Sequence, residues 1–209
     1  MLSRCRLIGH TAMCRCAILP DMPASYDTWK VLPHEPVEAL AENLWRVEGT
    51  LEGMALRRVM TVARLADGRL VIHSAIALKE EAMAQIEALG EPAFLVVPNG
   101  YHRLDSTAYK ARYPDITVLC PSGATKRVSE VVAVDGGYER FPSDPNVSIR
   151  ELEGINGAEG VLTVRSEDGA TLVFNDLIFN MPHGSGVAGF IFRYICLLYT
   201  SDAADEWIG

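Results

Sequence analysis

A histidine and an aspartate follow the end of one apolar stretch in the middle of the sequence. Residues 93–105 read AFLVVPNGYHRLD, so the apolar run closes at a Pro-Asn-Gly break and is followed by His102 and Asp105. A short apolar run that ends in such a break is typical of a strand buried on both faces, and α/β proteins keep many of their sites at the carboxyl ends of such strands. The pattern therefore predicts an imidazole and a carboxylate, each able to bind a ligand or accept a proton, at the end of a buried strand.

The neighbouring sequence predicts the elements that must position this strand. Residues 57–65 and 69–75 are β-rich and are joined by Ala-Asp-Gly, a strong signal for an antiparallel hairpin. Residues 79–89 place apolar side chains on one helical face, and a second helix over residues 106–113, capped by Ser106, leads to a buried strand over residues 116–120. Strand, helix and strand in this order predict a right-handed crossover and a parallel pair.

The flanking segments complete a layered architecture. Residues 26–42 contain several prolines and are predicted to form an extended arm across the surface, before the sheet starts at residues 43–47. After the crossover, β-rich runs over residues 147–152, 160–165 and 171–180 are separated by Gly and Asp turns. Two packed mixed sheets with helices on an outer face predict a layered α/β sandwich.

The motifs in this order resemble the metallo-β-lactamase superfamily. A strand ending in IHSA is followed by a helix, a strand ending in PNGYHRLD, and a later hairpin ending in VFND. An uncharacterised branch of metallo-β-lactamase-like proteins has segments similar in sequence to LPHEPVEALAENLWRVEG, VVPNGYHRLD and LVFNDLIFNMPH. The resemblance covers residues 22–195. It implies an αββα sandwich with a metal site at one edge, between the sheets.

The resemblance also implies roles for particular residues, with a reduced set of metal ligands. Active members carry three His and one Asp after the equivalent strand and a bridging Asp after the later hairpin, and such ligands suit zinc. In this chain Asn99 stands where the first His is expected, and Ser106 where another His is expected. The implied site consists of metal ligands His102 and Asp176, catalytic Asp105, and supporting residues Asn99 and His183.

Two functions follow from this reduced ligand set. The first is a metal-dependent hydrolase acting on an ester, thioester or lactone-like small molecule, with one zinc or another divalent metal. The second is a metal-free domain that binds a small molecule or a protein at the same edge, with Tyr101, His102 and Arg103 contacting an anionic ligand. Purely structural interpretations remain open: His102 could pair with Asp105 or a carbonyl, Asp176 could stabilise its turn, and His73 is expected to be a core histidine.

Composition limits the classes of partner and the cellular location that we expect for this protein. The formal charge of −8 and the absence of a run of basic residues argue against nucleic acid as a partner. We find no apolar segment of membrane-spanning length in the sequence. Within residues 22–195 Cys120 is the single cysteine, which argues against a disulfide framework and predicts a cytoplasmic protein.

The two ends of the chain differ from the rest in amino-acid composition and periodicity. Residues 1–21 contain scattered Arg and Cys without periodicity and are predicted to be a non-native extension. The segment CLLYTSDAADE, residues 196–206, resembles a translated sequencing adapter, so residues 196–209 are predicted to be an artefact. The expected domain is therefore residues 22–195, truncated at its C-terminus.

Overall fold

The structure, a computed structural model, describes residues 24–177, apart from the side chains of residues 54–56. The predicted extension over residues 1–21, the predicted artefact over residues 196–209 and the predicted domain end at residue 195 lie outside this part of the chain. Within residues 24–177, none of the helices has both the length and the apolar character needed to span a membrane.

A six-stranded mixed sheet forms the centre of the described chain. Its strands lie side by side in chain order: β1 (Glu38–Ala41), β2 (Leu44–Leu51), β3 (Met54–Arg64), β4 (Arg69–His73), β5 (Glu91–Val96) and β6 (Thr117–Leu119). Neighbours from β1 to β4 are antiparallel, whereas β4–β5 and β5–β6 are parallel. The predicted hairpin and the predicted parallel pair are both confirmed.

The turn between β3 and β4 shows why the hairpin signal is strong. Gly68 has a φ of +89°, a conformation that glycine adopts without steric cost. Asp67 accepts a hydrogen bond at Oδ1 from the Arg69 N–H at 3.0 Å. The turn thereby fixes the register that pairs Ile72 with Val62 and His73 with Thr61.

Helices cover one face of this sheet. They are α1 (Glu80–Glu87), α2 (Ser106–Arg112) and α3 (Thr125–Val128). Met83 and Ile86 of α1 and Tyr109 of α2 are fully buried in one core together with Met60 and Ile72 of the sheet. The helices that link the parallel strands therefore bury their apolar faces against the sheet, as the sequence pattern predicts.

A second sheet packs on the opposite face. It consists of β7 (Val147–Glu151), β8 (Gly160–Ser166) and β9 (Gly169–Val173), paired in that order. Leu162 and Val164 share a second buried core with Val71, Phe94 and Val96 of the first sheet. Helices, mixed sheet and second sheet form three successive layers, which confirms the predicted α/β sandwich.

Several predicted details are wrong. The second sheet is antiparallel throughout its described part rather than mixed. Residues 38–41, predicted as part of the arm, form an edge strand because they pair with β2. Ser106 is the first residue of α2 and not its cap, since Asp105 occupies the N-cap position. The last predicted strand ends at Val173, and the described residues that follow it, 174–177, are not in a strand.

Candidate functional site

The site is built where the parallel strands β4 and β5 end. His73 and Val96 are paired at the ends of these strands, and the next N–H, from Ser74, donates to the Val96 carbonyl at 3.0 Å. Parallel neighbours deliver their carboxyl ends to one edge of a sheet. Ser74 from β4 and the Pro-Asn-Gly turn from β5 therefore meet at the same edge.

The turn after β5 is held by the side chain of Asn99. Its Oδ1 accepts hydrogen bonds from the N–H groups of Tyr101 at 2.8 Å and His102 at 3.2 Å. Asparagine favours such turns because its short side chain reaches the backbone two or three residues ahead. A side chain at position 100 would crowd Arg127, since an added Cβ would lie 2.9 Å from Cδ of Arg127. His102 consequently leaves the turn in a fixed direction.

The structure brings His102 and Asp176 together. Nε2 of His102 lies 2.9 Å from Oδ1 of Asp176, and Nδ1 lies 3.0 Å from Oγ of Ser74. Asn99 donates through Nδ2 to the other carboxylate oxygen of Asp176 at 2.7 Å. The side chains of His102 and Asp176 are 24% and 37% exposed, so solvent reaches the pair. Four side chains from three parts of the chain thus form one hydrogen-bonded cluster.

A buried carboxylate fixes the segment that carries Asp176. Glu159 is 5% exposed. Its Oε1 accepts the N–H groups of Asn175 at 2.7 Å and Leu177 at 3.4 Å, and its Oε2 accepts the N–H of Asp176 at 3.0 Å. These bonds turn the chain after Val173, which explains why the predicted strand stops there. Sequence reasoning missed Glu159, because nothing near it indicates a contact with a later turn.

The electrostatic surroundings keep Asp176 ionised. Partial burial acts to raise the pKa of Asp176, but the hydrogen bond and charge of His102 and the amide of Asn99 outweigh it and lower that pKa. An ionised carboxylate only accepts hydrogen bonds, so Nε2 of His102 must carry a proton. In the neutral imidazole Nδ1 then accepts, and the Ser74 hydroxyl donates to it.

His73 lies next to this cluster but is not part of its proton chemistry. It is 2% exposed, as expected for a core histidine. Burial, and after it the charge of His102, lower the pKa of His73 to about 3. His73 is therefore neutral at physiological pH, whereas its neighbour His102 is 24% exposed and contacts the Asp176 carboxylate.

Asp105, the predicted catalytic residue, has different partners. It is 1% exposed and forms an ion pair with Arg58, itself 8% exposed. Burial raises the pKa of Asp105, while the charge and hydrogen bond of Arg58 and the backbone N–H of Ala77 act in the opposite direction. Among the described residues, no hydrogen bond joins Asp105 to His102 or Asp176. Its catalytic role stays a prediction, and the supporting residue His183 lies outside residues 24–177.

Arg103 is also engaged elsewhere. It is 7% exposed and donates to the Arg127 carbonyl and, at 2.7 Å, to Glu130. The cation that stands beside the exposed ring of Tyr101 is Arg127, whose guanidinium carbon lies 4.2 Å from the ring centroid. Among the described residues, the guanidinium that lies over the Tyr101 ring is therefore that of Arg127, whereas Arg103 is bonded to Glu130.

The predicted metal site can be compared with the donor side chains that the described residues supply. Catalytic zinc sites take three protein ligands and leave one position open. Within residues 24–177, no group of three or more His, Cys, Asp or Glu side chains could hold a metal ion. His102 and Asp176 supply two donors, and the nearby carboxylate of Glu159 is occupied by backbone N–H groups. The described residues therefore do not complete a zinc site.

Comparisons with known proteins identify similar structures but no family. No family model matches the chain, and no curated protein matches it. A metallo-β-lactamase from Pseudomonas aeruginosa in its mono-zinc form is 10% identical with a TM-score of 0.44, covering 64% of this chain and 65% of that one. A metallo-β-lactamase from Hirschia baltica is 12% identical with a TM-score of 0.40, covering 68% of each chain. The chain thus spans just under two thirds of the first structure, and the likeness concerns the fold alone.

Proposed function

We propose that this protein hydrolyses a small ester, thioester or lactone at the edge where β4 and β5 end. The observation that supports this function is the position of His102. Its imidazole is bonded to Asp176 through one nitrogen and to Ser74 through the other, while 24% of the side chain stays exposed. An imidazole held in this way can take a proton from a nucleophile and return it to a leaving group.

Asp176 supports the proton transfer in two ways. Its carboxylate fixes the tautomer and the orientation of the imidazole, and its negative charge stabilises the imidazolium that forms when His102 accepts a proton. Asn99 holds the second carboxylate oxygen, and Glu159 holds the backbone N–H of Asp176. The carboxylate is therefore oriented before substrate arrives, which is a condition for efficient catalysis.

A divalent metal would be an alternative to this hydrogen-bonded arrangement, because a metal bound at Nε2 of His102 would replace the proton that Nε2 donates to Asp176. His102 and Asp176 would hold the metal, since their facing atoms are 2.9 Å apart, close to the separation of roughly 3–4 Å between two ligands of one zinc. The metal would polarise the substrate carbonyl or a bound water. A third donor would have to come from outside residues 24–177. A small-molecule substrate, a cytoplasmic location and the absence of nucleic-acid and membrane partners stay predictions.

The test is hydrolysis by the full chain of nitrophenyl esters, an acyl thioester and a simple lactone. Each substrate is assayed with chelator-treated protein, with and without added zinc, and metal content is measured on the same samples. We expect His102→Gln to lower kcat/KM by about 10²- to 10⁴-fold, the usual contribution of a general base. His34→Gln is the matched control, because His34 is a histidine that bonds the backbone of Glu35 and Lys79 away from the site.

Two results would overturn the proposal. One is a wild-type rate in His102→Gln. The other is the absence of hydrolysis by wild-type protein in every condition together with saturable binding of the same compounds. That second result would establish the metal-free binding domain instead.

A further inference from the structure

Ser74 has a backbone conformation that is unusual for its residue type. Its φ is +56°, in the left-handed region that L-residues other than Asn and Asp rarely adopt. Such a conformation is strained, and residues of this kind cluster at functional sites. Ser74 follows the last residue of β4, so the strain lies at the sharp bend from strand to loop. In the α/β-hydrolases the nucleophilic serine sits on a comparably strained turn after a strand.

The bend directs the Ser74 hydroxyl at His102. Oγ lies 3.0 Å from Nδ1, and on the far side of the ring Nε2 lies 2.9 Å from the Asp176 carboxylate. Because Asp176 can only accept a hydrogen bond, Nδ1 of the neutral ring is the acceptor for the serine proton. Hydroxyl, imidazole and carboxylate are thus connected in the order of a serine triad, but with the ring nitrogens exchanged: here Nδ1 faces the serine and Nε2 the carboxylate.

We propose that Ser74 is the nucleophile of an acyl-transfer reaction at this site. The inference rests on the proposed hydrolase function and deepens it by naming the attacking atom. It assigns the substrate as a small acyl ester or thioester, because Ser74 is 4% exposed and a bulky polymer would not reach it.

The reaction balances with water as the co-substrate. Oγ of Ser74 forms a bond to the acyl carbon while its proton passes to Nδ1 of His102. The bond from the acyl carbon to the leaving oxygen or sulfur breaks, and that atom takes the proton from His102. Water then attacks the acyl carbon and gives a proton to Nδ1, the bond to Oγ breaks, and Oγ recovers the proton. The products are a carboxylic acid and an alcohol or thiol.

The test uses a fluorophosphonate probe, which reacts with an activated serine and leaves a covalent adduct. Intact-protein and peptide mass spectrometry are applied to full-chain wild type, Ser74→Gly, His102→Gln and Ser106→Ala. Glycine is chosen at position 74 because it adopts positive φ without steric cost, so the hydroxyl is removed without adding strain. Ser106 is the matched control, a serine that is 2% exposed at the start of α2.

We expect one adduct on Ser74 in wild type and Ser106→Ala, none in Ser74→Gly, and labelling slowed by at least about 10²-fold in His102→Gln. Ester hydrolysis should fall by a similar factor in Ser74→Gly.

An adduct at another residue, or no adduct on wild type, overturns the inference. The mapping on wild type decides this even if a variant fails to fold. Hydrolysis at the wild-type rate in Ser74→Gly combined with loss in His102→Gln would also overturn it while leaving the proposed function intact. Labelling of Ser74 without hydrolysis of any ester or thioester would instead remove the proposed function.

Discussion

Asp105 and Asp176 are both aspartates paired with a basic side chain, but their surroundings differ. Asp105 is 1% exposed and faces a guanidinium that is itself buried, whereas the side chain of Asp176 is 37% exposed and faces a solvent-accessible imidazole. A buried ion pair that loses one member leaves a charge without solvent. A half-exposed pair that contains a histidine can exchange protons with a ligand. The first pair holds the start of α2 against β3. The second pair is the one to which we assign proton transfer in the proposed function.

The largest expected effect is on stability at the buried pair. Arg58→Met removes the partner of Asp105, and we expect it to lower the free energy of unfolding by about 3–5 kcal/mol, the usual cost of breaking a buried ion pair. The double variant Arg58→Met with Asp105→Leu should recover most of this loss, because no buried charge remains. Urea unfolding followed by circular dichroism measures both. A single variant as stable as wild type would mean that Asp105 is not held by Arg58 in solution.

His73 is buried, whereas His102 is partly exposed. The pH dependence of the free energy of unfolding tests this second contrast. The folded-state pKa of His73 is about 3, below its ordinary value of 6.5, so between these values the unfolded chain binds a proton that the folded protein does not. The stability is therefore complete above about pH 6.5 and is lost as the pH falls toward 3. From pH 7.5 to 5.5 this amounts to about 1.4 kcal/mol.

His73→Phe isolates that contribution, because phenylalanine is aromatic and does not titrate. The free energy of unfolding should fall by about 1.4 kcal/mol less between pH 7.5 and 5.5 in His73→Phe than in wild type. Equal pH dependence in the two proteins would show that His73 is not buried in its neutral form.

The smallest stability effect is expected at the site itself. Asp176→Asn keeps the shape of the side chain and one carbonyl acceptor, and the pair it weakens is partly solvated. We expect the free energy of unfolding to change by less than about 1 kcal/mol, as for other exposed ion pairs. The same urea experiment applies, and a loss as large as that of Arg58→Met would remove the contrast between the two pairs.

Sequence patterns predicted the parts of this fold that depend on local signals. The Asp-Gly turn, the apolar run over residues 94–97 and the helix after Lys79 are each encoded within about ten residues, and each forms where it was expected. The convergence of His102 with Asp176 followed from the resemblance to a known fold. The edge strand β1 was missed because its pairing with β2 is tertiary, and because the prolines before it, Pro33 and Pro36, favoured an irregular arm.

The remaining site residues depend on contacts between distant parts of the chain. Glu159 acts on a turn 16 to 18 residues later, and Ser74 reaches His102 across 28 residues. Neither contact is indicated by the residues that are neighbours in sequence. The partner of Asp105 also lies far away in sequence: Asp105 is three residues from His102, but the start of α2 places it against Arg58, 47 residues away. Closeness in sequence to His102 did not make Asp105 its hydrogen-bond partner.

The contrast between the two aspartates is tested most directly by ester hydrolysis measured per folded molecule. Wild type, Asp176→Asn and Asp105→Asn are assayed at one pH, and each rate is divided by the folded fraction from unfolding curves. We predict that Asp176→Asn loses about 10²-fold or more, because the imidazole loses the carboxylate that orients and stabilises it, while Asp105→Asn keeps the wild-type rate. A wild-type rate in Asp176→Asn, or a comparable loss in Asp105→Asn, would contradict the assignment of the chemistry to the edge formed by β4 and β5.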